Sequence, residues 1–201
     1  MKNRLYVFFL SALVASAALA QAPAAQRIRG TVESLQGSTL KVKARGGESI
    51  AVQLADNAVI MGVAKAGIED LAQGKYVGSA TVGERDGALV ALEVHIFPEN
   101  MRGTGDGHRD FDVRPNSKMT NGNVAEIKSM GPDRVMKVSY KGGEKNLLVT
   151  ADTVVVAYEP ASRADIKPGA GVYINAAERK PDGTLSTSRI NIGLRGQTPP
   201  M

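Results

Sequence analysis

Alternation of apolar and polar positions dominates the chain. Leu40, Val42 and Ala44 alternate with Lys41, Lys43 and Arg45, and Ile50, Val52 and Leu54 alternate with Ala51 and Gln53. A period of two puts successive side chains on opposite faces, so each run predicts a half-buried strand. Gly46-Gly47 separates them, and glycine tolerates the positive φ of a tight hairpin. The same design returns with Val138, Gly142-Gly143, Leu147 and Val149. Asp86-Gly87 and Asp182-Gly183 mark further hairpins, with strands predicted over 76–82, 90–96, 172–176 and 185–192. The segments 68–72 and 164–167 are long enough for one helical turn each.

These elements form an internal repeat. Arg29-Gly30-Thr31-Val32 lies over Asn121-Gly122-Asn123-Val124, and Arg45-Gly46-Gly47-Glu48 over Lys141-Gly142-Gly143-Glu144. Ala55-Asp56 matches Ala151-Asp152, and Asp86-Gly87-Ala88-Leu89 matches Asp182-Gly183-Thr184-Leu185. The offset begins at 92 and settles at 95 or 96, an insertion near 129–132 accounting for the drift. Each copy holds about five strands and one short turn. Five short strands expose two edges unless the sheet closes, and an OB-like barrel closes five strands with a connecting turn in that place. The expected fold is all-β: two tandem five-stranded OB-like barrels, over 26–96 and 121–193, joined by a linker at 97–120 and followed by a tail at 194–201. The rival is one larger β-sandwich in which both copies share a core.

The chain resembles exported bacterial proteins of unknown function with repeated OB-like domains. The resemblance rests on the opening Gly30-Thr31-Val32, the Gly46-Gly47 and Asp86-Gly87 hairpins, and Leu71-Ala72-Gln73-Gly74 before the fourth strand. Copy two departs at Ile166-Lys167-Pro168-Gly169. The resemblance implies the fold and export and brings no catalytic residues.

Residues 1–20 have the parts of a cleaved signal peptide: Lys2 and Arg4, an apolar run from Leu5, and Ala18-Leu19-Ala20 before Gln21. The run is short for a membrane span, and no later stretch approaches one. A periplasmic protein is expected. Removing the signal leaves 181 residues with formal charge +3, a mild attraction to polyanions. Cys and Trp are absent, which removes thiolate chemistry and requires a core of Val, Ile, Leu and Ala.

No standard enzymatic motif occurs. Gly103-Thr104-Gly105-Asp106-Gly107-His108 imitates a dinucleotide loop, but lacks the third glycine and any βαβ context. The expectation is therefore a non-enzymatic periplasmic binding or interaction module with no cofactor, its partner a polyanion, a metal ion or an envelope protein. Two sets of residues are candidates. Lys41, Lys43 and Arg45 share one face of a strand, and Lys137 and Lys141 repeat part of that stripe. Such a face suits a polyanion or lipid head groups. Nucleic acid is disfavoured, because only Tyr140 offers a stacking platform there. In the linker, His108 with Asp106, Asp110 and Asp112 is the candidate for a divalent ion, with His95 near enough in sequence to join. Their spacing is not that of an EF-hand. Against this stand a hydrated linker of loosely paired charges, and Phe111 as an anchor on a barrel.

Overall fold

The computed structural model describes residues 25–199, so the expected signal peptide at 1–20 lies outside the described residues. Copy one supplies β1 (Gln26–Gln36), β2 (Thr39–Ala44), β3 (Ser49–Lys65), β4 (Tyr76–Arg85) and β5 (Ala88–Ile96). The linker adds β6 (Gly107–Asp110). Copy two supplies β7 (Lys118–Met130), β8 (Asp133–Tyr140), β9 (Gly143–Val149), β10 (Val154–Pro160), β11 (Gly171–Arg179) and β12 (Leu185–Gly193). Single 3₁₀ turns at Ile68–Asp70 and Arg163–Asp165 fall where the helical turns were expected, and a third spans Glu99–Met101. Asp86 and Gly87 both have positive φ, 52° and 76°, as a two-residue hairpin between right-twisted strands requires.

The strands β1, β2, β3, β12 and β11 close into a five-stranded barrel. A second ring runs β7, β8, β9, β5 and β4, joined between β5 and β9 by the register pairs Leu89↔Leu147 and Val90↔Leu148. The expectation that each repeat closes on its own strands is corrected here. Each ring takes its first three strands from one repeat and its last two from the other. The physical reason lies in β3. It runs for 17 residues, well past the end of its own hairpin, and carries the chain across to the other ring before β4 begins. Copy two does the same with an interruption at Thr150–Thr153, where Thr153 Oγ1 accepts the Thr150 N–H at 2.9 Å.

Where they cross, the far half of β3 pairs antiparallel with β10. Tyr158 sits opposite Val63, and 158 is the position that the 95-residue offset assigns to 63. A pseudo-two-fold axis therefore passes through this pair. The exchange is locked by equivalent backbone bonds. Gly169 N–H donates to Val32 and Val32 N–H to Ala170, while Gly74 N–H donates to Val124 and Val124 N–H to Lys75, all at 2.8–2.9 Å.

Both ring interiors are aliphatic, as the composition demanded. The first holds Ile28, Leu40, Val42, Ile174, Ile190 and Ile192. The second holds Val77, Val94, Val124, Met136, Val138 and Leu147. Full burial of each such side chain stabilises by about 1.5–3 kcal/mol. Tyr76, Phe97 and Tyr158 form a separate cluster with Met61, Val63 and Val156, between the two interiors.

Candidate functional site

The axis places two equivalent rows of side chains on either side of one cavity. In the second ring, Gly78 of β4 stands between His95 of β5 and Asn121 of β7. In the barrel, Tyr173 of β11 stands between Asn191 of β12 and Arg29 of β1. His95, Asn121, Tyr173 and Asn191 line a cavity of about 270 Å³ together with Phe97, Tyr158, Arg189 and linker residues. Six aromatic residues follow position 24, and four of them, Phe97, Phe111, Tyr158 and Tyr173, face this space.

The polar groups around it are buried and incompletely satisfied. His95 is 1 % exposed, Glu93 3 % and Asn121 4 %. The His95 ring sits edge-on to Phe97 and Tyr158, with centroids 4.9 and 5.5 Å away. Its Nδ1 lies 3.8 Å from Glu93 Oε1, outside hydrogen-bond range, and both atoms lack a partner. Its Nε2 and Asn121 Oδ1 crowd over Gly78, where a Cβ would strike both. Asn121 Nδ2 donates to the Thr104 carbonyl at 2.9 Å, which leaves Oδ1 without a donor. An unpaired buried acceptor costs roughly 1–3 kcal/mol, so this is an expensive arrangement to maintain for packing alone. Burial first, then the Glu93 carboxylate, pushes the Tyr158 phenol far upward, with Arg189 opposing. Burial also raises Tyr173, against the pull of Arg29 and Arg27. Tyr76, behind Phe97, is pushed up to about 12 by burial and by Asp106.

The linker forms the lid of this cavity. Tyr76 OH donates to the Thr104 carbonyl at 3.2 Å and to Asp106 at 3.3 Å, and Lys141 N–H donates to Asp106 at 2.7 Å. These bonds pin residues 104–106, and β6 then pairs along β7. Further on, Phe111 lies beneath the guanidinium groups of Arg27 and Arg29, 5.3 and 5.9 Å from its centroid. Asp112 bridges both arginines, at 3.1 and 2.8 Å. Burial alone would raise Asp112, but hydrogen bonds from Arg29 and Arg27 outweigh it and hold the carboxyl below its ordinary range. Phe111 thus anchors the linker on the barrel.

The sequence candidates fall elsewhere. Asp106 is tied to Tyr76 and Lys141, Asp110 to Lys118, and Asp112 to the arginine pair. His108 Nδ1 is 2.8 Å from Thr120 Oγ1, its ring stacks on Tyr140, and burial followed by Lys145 and Lys118 lowers its pKa. No three His, Asp or Glu side chains converge as a metal-ligand group among the described residues. Lys41, Lys43 and Arg45 are exposed on the outer face of the barrel, without an ion pair among the described residues, while Lys137 pairs with Glu144 at 3.3 Å. Sequence reasoning named His95 and missed Asn121, Tyr158, Tyr173, Arg189 and Asn191. Aromatic scarcity was the available signal, since an aliphatic core leaves the few rings free for another use.

Comparisons with known protein families, with curated proteins and with solved structures each return no match. No helix among the described residues is long and apolar enough to cross a membrane.

Proposed function

We propose that this protein is an exported, non-enzymatic binding module of the bacterial periplasm, built from two OB-like rings that exchange strands, and that it holds a small molecule in the cavity between them. One observation carries the reading. Four of the six aromatic side chains that follow position 24 line a space, with His95, Asn121 and Asn191 beside them, that neither aliphatic interior needs. Small-molecule sites are concave and largely apolar, with a few placed polar groups, and they favour the junctions between folding units.

A small-molecule screen by thermal shift and ligand-observed NMR tests it, using wild type beside Thr104→Trp. Thr104 lines the cavity and is half-buried, and a Trp there fills the space while its backbone carbonyl keeps accepting from Tyr76 and Asn121. Compounds that bind wild type and fail to bind the filled variant are the expected result. A screen in which no compound distinguishes the two proteins overturns the proposal.

A further inference from the structure

We infer that the cavity takes a small monocyclic aromatic carboxylate, an assignment that rests on the binding reading above and adds the ligand's chemistry. Shape comes first. A dry cavity of roughly 150 Å³ holds benzene, so about 270 Å³ holds one ring with a polar substituent. The walls are Phe97, Phe111, Tyr158 and Tyr173, whose faces and edges favour a flat π-surface over an aliphatic chain.

Charge decides the substituent. No Asp or Glu lines the cavity, while Arg109 and Arg189 both do. Neither guanidinium is paired with a carboxylate among the described residues. Arg109 donates to the Gly105 carbonyl at 2.6 Å, and the Arg189 guanidinium has no hydrogen-bond partner among the described residues. Nearby Arg27 and Arg29, by contrast, share the Asp112 carboxylate. Glu93 stands behind His95 rather than on the wall. A planar guanidinium with open donors matches a carboxylate in plane and charge.

Isothermal titration of the full chain with three probes tests this: benzoate, its neutral isostere benzamide, and acetate, which has the charge without the ring. The proteins are wild type, Arg109→Gln, Arg189→Gln and Thr104→Trp, each checked for a wild-type thermal melt. Benzoate is expected to bind wild type at least tenfold more tightly than benzamide, and acetate is expected not to saturate. At least one Arg→Gln variant is expected to lose tenfold or more for benzoate while benzamide is unchanged, and Thr104→Trp to lose both. Equal binding of benzoate and benzamide, or full benzoate affinity in both Arg→Gln variants, overturns the carboxylate assignment and leaves the cavity reading standing. Saturable acetate binding overturns the aromatic part. Benzoate affinity that survives Thr104→Trp places the site elsewhere and overturns both.

Discussion

Gly30 and Gly122 occupy the same place in the two repeats, two residues before the valines that receive the crossing bonds. A Cβ at Gly30 would fall on the Lys43 carbonyl oxygen, and one at Gly122 on that of Ser139. These obstacles are backbone atoms of the neighbouring strand, which cannot swing aside as a long side chain can. Each glycine is followed by a register shift, at Val32/Ser34 and Val124/Glu126, where the first strand coils around its ring. Gly30→Ala and Gly122→Ala are each expected to destabilise by about 1–3 kcal/mol, the scale of overpacking against rigid neighbours. Urea denaturation measures this, and a loss below about 0.5 kcal/mol in both would show that the strands relax freely there. The glycines were legible in the sequence as the openings of the repeats. Their task was not, because a Gly-x-Val triplet does not say which backbone approaches it. The pair His95 and Asn191 is a second case. The offset makes them equivalent, yet only the folded rows show that they face one cavity from opposite sides.

At the scale of elements, the linker is the part the sequence described least. Gly107-His108-Arg109-Asp110 has no apolar alternation, so nothing in it announces a strand. β6 exists because the edge of β7 offers its backbone and because Tyr76, Asn121 and Lys141 hold the preceding loop. Acids that looked like potential metal ligands are spent on fastening. The Phe111 anchor was readable, since one ring amid charges has few other uses. Asp112 then sets how firmly the lid is fastened. Its folded-state pKa is depressed, so its contribution is present above the ordinary carboxylate value and is lost as pH falls through the folded value. The side chain is 46 % exposed, so screening limits the contribution to about 1 kcal/mol or less. Asp112→Asn is expected to melt lower than wild type at neutral pH, with the gap closing on acidification below the carboxylate range. Melting curves across that range check it, and a gap independent of pH would show that the arginines hold Phe111 without the charge.

Strand exchange is the whole-molecule feature that no local pattern encodes. Alternation and glycine pairs specify β1-β2-β3, β4-β5, β7-β8-β9 and β11-β12 as hairpin groups, and they do so equally well whether a ring closes within a repeat or between repeats. The choice is made by the length of β3 and by the segment that follows it, which delivers β4 to β7 rather than back to β1. The rings, once shared, lie against each other across the axis, and the cavity is a product of that arrangement. Both rings therefore depend on both halves of the sequence. A break in the exposed Arg114–Asn116 turn would leave β1 to β6 on one piece and β7 to β12 on the other, each with three strands of one ring and two of the other. Neither piece can satisfy its open strand edges alone, because the missing neighbours are in the other. Co-expressed residues 25–115 and 116–199 are expected to purify as a one-to-one complex with a single cooperative melt, and each piece alone to give none. Size-exclusion chromatography with thermal melts reads the outcome directly. If each piece folds by itself into a stable monomer, the repeats are able to close on their own strands. The exchanged pairing would then not be what holds the molecule together, and a cavity that exists only between shared rings would lose its structural basis.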